Sequence, residues 1–186
     1  MPQASAHVDR SLVRLRPVGE SDVDDILTWV NDKEIIGNIA AFAGAPLSRA
    51  DEVAWVLRVS ASADEKVYTV LDASTGRYLG QVGLHQIFRR SGLARCSLII
   101  AQRADMGRGL GSAALAALLD IAFGAEALHK VWLMVFESNT RSRRTYQRLG
   151  FVEEGVLRDE YRHDGAWHNM VRMGLLADEW RSAPPR

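Results

Sequence analysis

Hydrophobic and polar positions repeat with two different periods along the chain, and these periods divide it into strands and helices. Alternating or continuous apolar runs predict strands over 12–18, 66–73, 77–88, 93–101, 130–136 and on both sides of the turn at Asp164-Gly165. Apolar stripes of helical period predict helices over about 20–32, 48–61, 110–123 and 139–150. Segment 38–47 contains glycine and proline, which favours a loop or a short helix.

The order of these elements indicates the fold class. One strand and two helices are followed by three strands, a helix, a strand, a helix and two final strands, which is typical of an α+β or mixed α/β protein. A length of 186 residues suits one domain, which we expect over 11–181. Flexible ends are expected over 1–10 and 182–186. Ser21 and Ser48 are the expected N-caps of the first two helices.

Composition narrows the classes of partner. Lysine and arginine number 23, as do aspartate and glutamate, so the formal net charge is zero. This balance argues against nucleic acid or an anionic membrane as a partner. The one cysteine, Cys96, excludes an internal disulfide and fits a reducing cytoplasm. No apolar run approaches the roughly 20 residues of a membrane span, and no metal site is expected.

The segment MGRGLG, from Met106 to Gly111, is the main candidate for binding chemistry. Its glycines precede a predicted helix, and the free N–H groups at a helix N-terminus attract phosphate. Glycine also lets backbone approach an anion without a Cβ in the way. The segment therefore predicts a phosphate-binding loop.

Three other interpretations compete with this one. GLGSAA satisfies the dinucleotide pattern G-x-G-x-x-A, but six residues separate it from the preceding strand, and too little chain follows for further parallel units. A nucleoside triphosphate loop is excluded because no Gly-Lys-Ser/Thr follows. A tight turn without a ligand stays open as the third.

Three stretches, MGRGLGSAAL, VFESNTRSRRTYQRLGF and the closing EEGVLRDEY with NMVRMGLL, resemble the GNAT superfamily of acetyl-CoA-dependent N-acetyltransferases. The pyrophosphate loop of that family, Q/R-x-x-G-x-G/A, falls on Met106 to Gly111. The combination N-x-x-S-x-x-x-Y-x-x-x-G-F runs from Asn139 to Phe151. The resemblance is closest to the branch that holds ribosomal-protein N-terminal acetyltransferases and bacterial spermidine acetyltransferases.

The resemblance implies a fold, a cosubstrate and a set of residues that bind it. The fold is a mixed, mostly antiparallel sheet of about seven strands with about four helices, in which a splayed parallel pair of strands forms the acetyl-CoA site. Met106 replaces the family's Gln or Arg, so we expect weaker positioning of the phosphates, with Arg108 supplying charge. The implied acetyl-CoA-binding residues are Ile99, Ile100, Ala101, Met106, Gly107, Arg108, Gly109, Leu110, Gly111, Asn139 and Ser142.

Tyr146 is the expected catalytic acid. Ser142, Tyr146 and Leu149 share one helix face, and an ordinary phenol pKa of about 10 suits protonation of a leaving thiolate. A core tyrosine is the alternative. In relatives the general base is often a glutamate on the strand before the loop. This chain has Arg95 at that position. Glu137 is therefore the expected base, with His85 and Glu160 as further candidates, and a water relay or a neutral substrate as alternatives.

The acceptor site is expected between the first two helices and the final hairpin. Its predicted residues are Trp29, His85, Glu160 and Tyr161. Segment 38–47 has no carboxylate, so we expect a protein N-terminal α-amine or a small-molecule amine rather than spermidine. A polyamine acetyltransferase and a non-catalytic CoA-binding protein stay open as alternatives. A homodimer is also left open.

Overall fold

Within residues 8–36, 46–163 and 165–182, which the computed structural model describes, seven strands form one sheet in the order β1-β2-β3-β4-β5-β7-β6. The strands are β1 (Val13–Pro17), β2 (Lys66–Asp72), β3 (Tyr78–Phe88), β4 (Leu93–Ile100), β5 (Lys130–Phe136), β6 (Val152–His163) and β7 (Ala166–Leu176). All neighbouring pairs in this sheet are antiparallel except β4 and β5. The predicted α+β class and the mixed sheet are confirmed.

The parallel pair separates part-way along its length. Three residue pairs join β4 to β5, and the last of them is Arg95 with Trp132. Beyond it β4 pairs only with β3, and β5 pairs only with β7. The edge of β4 that faces β5 is therefore unpaired from Cys96 onward, which confirms the splayed pair. The two strands leave a gap in the middle of the sheet.

Helices cover both faces of the sheet. In the described ranges they are α1 (Val23–Val30), α2 (Lys33–Ile36), α3 (Arg49–Ser60), α4 (Leu110–Phe123), α5 (Thr140–Arg148) and α6 (Ala177–Ser182). The main core lies between α4, α5 and one sheet face, which includes Cys96 and Leu98. A second core lies under α1 and α3 and includes Ile99 at its margin. Because successive strand residues point to opposite faces, the two cores lie on opposite sides of β4.

Local details differ from the sequence-based expectations. The structure has two short helices, α2 and α6, beyond the four predicted. Ser48 caps α3 through a capping box with Asp51, as predicted. The predicted cap at Ser21 is wrong, because α1 follows a 3-10 turn and Asp22 occupies the N-cap position. The apolar residues of α3 are not all buried, since Leu57 is 53% exposed.

Tertiary contacts explain the position of Asp22. Its carboxylate is buried and accepts hydrogen bonds from Arg16 (2.8 Å), the Gly19 N–H (2.9 Å) and the Thr69 hydroxyl (2.7 Å). An exposed serine offers no such set of partners. The predicted loop or short helix at 38–47 lies outside the described residues, apart from Pro46 and Leu47, which are in neither helix nor strand.

The described residues contain neither a membrane-spanning helix nor a cluster of metal-binding side chains. None of the helices in these ranges is both long enough and apolar enough to cross a membrane. The same residues bring together no group of three or more His, Cys, Asp or Glu side chains with metal-binding geometry.

Candidate active site

The segment Met106–Gly111 joins the unpaired end of β4 to the start of α4. Gly107 and Gly109 have φ angles of +87° and +83°, in the left-handed region that glycine adopts without strain. Gly109 is the N-cap of α4 and provides no side-chain cap. The first N–H groups of an α-helix have no partner within the helix, and they lie at its positive end. The loop therefore presents backbone donors suited to a phosphate.

Close packing holds this helix start against the open half of β4. A Cβ on Gly111 would lie 3.4 Å from Leu98 Cδ2 and 3.5 Å from Ile100 Cγ1. Ile99 and Ile100 pair with β3 along one strand edge, and the Ala101 N–H donates to the Leu79 carbonyl at 2.8 Å. Their other edge faces the gap toward β5. The three predicted pantetheine-binding residues thus lie directly beside the glycine loop.

Two arginines bring positive charge to the loop. Arg108 is exposed and pairs with Asp105 at 2.9 Å. Arg141 reaches across from α5, and its Nη2 lies 3.3 Å from the point that a Cβ on Gly107 would occupy. The sequence pattern did not single out Arg141. It lies on a different helix, and only the fold brings it next to the glycine loop. Met106, in contrast, contributes no charge.

A buried carboxylate, that of Asp105, attaches the glycine loop to the sheet. Asp105 is 3% exposed and accepts two hydrogen bonds from the Arg77 guanidinium, both at 2.8 Å. The Arg77 guanidinium, together with Arg108, holds the pKa of Asp105 below its ordinary value. Because Arg77 lies just before β3 and Asp105 just before the loop, this pair ties the loop to the sheet. Sequence reasoning missed it, since neither residue stands in a recognisable local pattern.

We expect Asp105→Asn to lower the free energy of unfolding by about 1–2 kcal/mol, less than for a fully buried pair because Arg77 can regain water. Since the pKa of Asp105 is lowered by folding, its stabilisation is fully present above the ordinary value of 3.8 and is lost as pH falls below it. Urea denaturation at pH 7 and at pH 3 measures both effects.

Asp24→Asn is the matched control, because Asp24 pairs with Arg49 on the open surface. We expect it to change the free energy of unfolding by less than about 0.5 kcal/mol. Equal losses for the two variants would contradict the anchoring role of Asp105.

Helix α5 presents its predicted residues to the same region. Asn139 caps the helix, and its side chain accepts from the Ser142 N–H at 3.1 Å. Leu149 is fully buried, and Tyr146 packs against the main core with its ring edge on Phe151. The predicted face of Ser142, Tyr146 and Leu149 is therefore present in the structure.

The phenol of Tyr146 lies close to the point where the strands separate. Burial raises its pKa well above the ordinary value, the nearby Cys96 thiol raises it further, and hydrogen bonding with Ser142 opposes this shift. Cys96 is the first residue of β4 after pairing with β5 ends. Tyr146 is thus a protonated donor at neutral pH, and it faces the gap from the α4 side of the sheet.

His85 lies on the opposite face of the sheet. Its Nε2 is 2.8 Å from the Ser97 hydroxyl, and its Nδ1 is 3.5 Å from Glu65. Burial lowers the pKa of His85, with a further lowering by Arg95 and an opposing effect of Glu65. The imidazole is therefore neutral at pH 7, and it lies one strand away from the gap.

Glu137 directly follows the last residue of β5 and is exposed. Its carboxylate accepts a hydrogen bond from the Asn169 side chain at 2.9 Å, and the same amide accepts from the Asp159 N–H at 3.0 Å. Asn169 thus links the end of β5 to the bulge in β6. This role of Asn169 could not be predicted from the sequence, because its two partners, Glu137 and Asp159, are distant along the chain.

The other predicted acceptor residues have different surroundings. Tyr161 is partly buried, and its ring edge contacts Phe136 at a centroid distance of 5.7 Å, beside His163 and His168. Glu160 is exposed in the irregular part of β6. Trp29 is 1% exposed in the second core, and its indole N–H donates to the Tyr78 hydroxyl at 3.0 Å. Trp29 is thus buried among the described residues of the second core.

Comparisons with known proteins agree with this geometry. A protein-family model described as an acetyltransferase (GNAT) domain matches residues 13–152. The chain is 32% identical over 105 residues to YdaF, a Bacillus subtilis protein named as a candidate ribosomal N-acetyltransferase. The aligned region covers 56% of this chain and 57% of YdaF. It is 31% identical over 178 residues to an L-methionine sulfoximine/L-methionine sulfone acetyltransferase of Pseudomonas paraeruginosa, over 91% of this chain and 98% of that one.

A solved structure is similar over almost its whole length. The spermidine N-acetyltransferase of Vibrio cholerae, in complex with CoA and spermine, superposes with a TM-score of 0.85 at 25% identity. The match covers 92% of this chain and 99% of that one. The chain spans little more than half the length of the Bacillus relative. The resemblance predicted from the motifs, including the branch, is confirmed.

Proposed function

Because the chain belongs to the GNAT family of acetyltransferases, we propose that it transfers the acetyl group of acetyl-CoA directly to a primary amine. The observation that carries this proposal is the gap between β4 and β5 beside the glycine loop. A test follows the release of free thiol from acetyl-CoA with a panel of peptides, amino acids, polyamines, aminoglycosides and amino sugars. Binding of acetyl-CoA without turnover of any amine would contradict the proposal and favour a non-catalytic CoA-binding protein.

The residues around the gap fit acetyl-CoA. The N–H groups at the start of α4, with Arg108 and Arg141 nearby, suit the pyrophosphate. The unpaired edge of β4 at Ile99 to Ala101 suits an amide-bearing arm, which it can bind as it would bind a further strand. Asn139 and Ser142 border the same region from α5. Acetyl-CoA supplies the activated acyl group.

Two groups of the protein serve the chemistry in this proposal. A backbone N–H on the unpaired edge of β4 polarises the thioester carbonyl. Tyr146, which burial keeps protonated, donates its proton to the departing thiolate. The proton of the acceptor amine passes to a base, for which the neutral imidazole of His85 and the carboxylate of Glu137 after the end of β5 are the candidates.

The acceptor class follows from charge. A structural neighbour is named for spermidine, and a sequence relative is named for an amino-acid derivative. Three of the described acids in this part of the sheet are already engaged. Glu65 contacts Arg58 and His85, Glu154 contacts Lys130 and Arg172, and Glu137 binds Asn169. A polycation needs free carboxylates, so we propose an α-amine or another small amine of low pKa as the acceptor.

We expect an α-amine to have a higher kcat/KM than spermidine at pH 7. An amine of pKa about 8 is then roughly one-tenth neutral, whereas one of pKa about 10.4 is neutral in roughly one molecule in 2,500. As pH rises to about 9.5, the ratio of the two kcat/KM values should narrow by roughly 25-fold, because the first amine approaches full neutrality while the second gains neutral fraction over the whole range. Both amines are measured on the same enzyme, so the effect of the enzyme's own ionisation cancels in the ratio of the two kcat/KM values at each pH.

The same pH series on Glu137→Gln and His85→Gln assigns the base, since loss of the base should remove the acidic limb of the profile. Spermidine turning over faster than every peptide, amino acid and small amine at pH 7 would instead support the polyamine alternative. Action in the cytoplasm and assembly as a homodimer stay predictions.

A further inference from the structure

Arg95 is the last residue of β4 that pairs with β5, so it lies at the apex of the gap. Its neighbours Ala94 and Cys96 belong to the main core, and its own side chain therefore points to the opposite face. His85 and Ser97 lie on that face, and the Arg95 cation disfavours protonation of the imidazole. The guanidinium is thus near the place where an acceptor amine would meet the acetyl group.

Arg95 is partly buried and has no ion-pair partner in the described part of the chain. Its Nε is buried and has no hydrogen-bond partner there, and no ion pair to a described carboxylate involves it. Two neighbouring cations have partners, since Lys130 contacts Glu154 and Arg172 stacks on Trp132 at 4.1 Å. A buried guanidinium donor without an acceptor is costly, and it is satisfied when an anion binds.

We propose that Arg95 binds the carboxylate of a free α-amino acid whose α-amine is the acetyl acceptor. This inference rests on the proposed acetyl transfer and names its substrate class by charge rather than by amine pKa, because the neighbouring carboxylate raises the pKa of the α-amine above that of a peptide N-terminus. In an α-amino acid the amine nitrogen and the carboxylate oxygens lie only about 3 Å apart. An amine at the apex of the gap therefore places its carboxylate within reach of the adjacent guanidinium. A polyamine would bring a further cation to the same point.

The test compares L-amino acids with their own carboxamides. Each pair shares one side chain and one attacking amine, and only the acid carries the anion. Values of kcat/KM extrapolated to the fully neutral amine remove the difference in amine pKa between the two. We expect wild type to prefer the acid by about tenfold or more, the usual scale for a charge-assisted hydrogen bond. Equal values for acid and amide across the panel would overturn the inference.

Variants assign the preference to the guanidinium. In Arg95→Met, which keeps the length of the side chain and removes its charge, the preference should fall to within about threefold of unity. Arg95→Lys keeps the charge without the planar fork and should retain part of the preference. Arg14→Met makes the same change at an exposed position of edge strand β1 and should leave the preference intact. A preference that survives in Arg95→Met would overturn the assignment.

Two further measurements separate the possible failures. Acetyl-CoA affinity by calorimetry should be unchanged in both Arg95 variants, because the pyrophosphate loop lies at the other end of β4. If an Arg95 variant does not fold, the wild-type comparison of acid and amide still decides the matter. If amines are acetylated but the carboxylate has no effect, only this inference is contradicted. If no amine is acetylated, the proposed acetyl transfer is contradicted as well.

Discussion

Replacing Tyr146 with phenylalanine is expected to lower kcat about 10²-fold or more, the usual scale for loss of a general acid. The substitution removes one hydroxyl and keeps the ring. Edge contact with Phe151 and packing against the core are retained. The affinity for acetyl-CoA, measured by calorimetry, should therefore change little, and the loss should be confined to turnover under conditions where chemistry is rate-limiting.

The physical reason lies in the surroundings of the phenol. Burial and the Cys96 thiol raise the pKa of Tyr146, so the hydroxyl carries its proton throughout the neutral range. Ser142, one helical turn away, orients the hydroxyl from the same face. A donor held at the gap costs little reorganisation when negative charge develops on sulfur.

Tyr68→Phe is the matched control, since Tyr68 is also partly buried against the main core but lies on β2. Its turnover should stay within about threefold of wild type. If Tyr146→Phe behaved in the same way, Tyr146 would be a core residue without a role in catalysis.

Gly109→Asp should weaken acetyl-CoA binding tenfold or more, on the order of 1.4 kcal/mol. The substitution puts a carboxylate at the N-terminus of α4, where the pyrophosphate is proposed to bind. Aspartate tolerates the left-handed φ of +83° better than most residues and is itself a good N-cap. The nearest atom to the added Cβ is Leu12 Cδ1 at 3.9 Å, so the variant should fold.

Gly109→Asn separates charge from shape. Asparagine has nearly the same size and the same tolerance of positive φ, but it carries no charge. We expect its affinity for acetyl-CoA to exceed that of Gly109→Asp by severalfold, because only the aspartate repels phosphate. Calorimetry on the two folded variants checks this. Unchanged affinity in Gly109→Asp would contradict a phosphate site at the loop, and tighter binding of NAD than of CoA would favour the dinucleotide interpretation.

Parts of the site could be predicted because they depend on short-range rules. Glycine before a helix, an asparagine cap and a tyrosine four residues after a serine are local patterns, and Gly109, Asn139 and Tyr146 occupy the predicted positions. The roles of Asp105 and Asn169 were not predictable. Each joins segments that are far apart in sequence, and a lone acid or amide in a loop or strand has no distinctive pattern.

Trp29, predicted to bind the acceptor, is buried in the second core. A large aromatic residue on an amphipathic helix suits either a core or a binding surface, and hydrophobic period alone does not separate the two. The partner that decides is Tyr78, whose hydroxyl accepts the indole N–H from a strand 49 residues away. Burial of Trp29 follows from this contact and from the packing of α1 on α3.

The sequence by itself determined the order of the elements, the boundaries of α4 and β5, the glycine loop and the family resemblance, because periodicity, capping and turn chemistry act over a few residues. Only the tertiary structure decided where β4 leaves β5, which carboxylates are already paired, and that Arg95 stands at the apex of the gap with an unsatisfied donor. These features arise from pairing between distant segments. Strand register and burial set the charge balance of a site, and neither can be read from one segment alone.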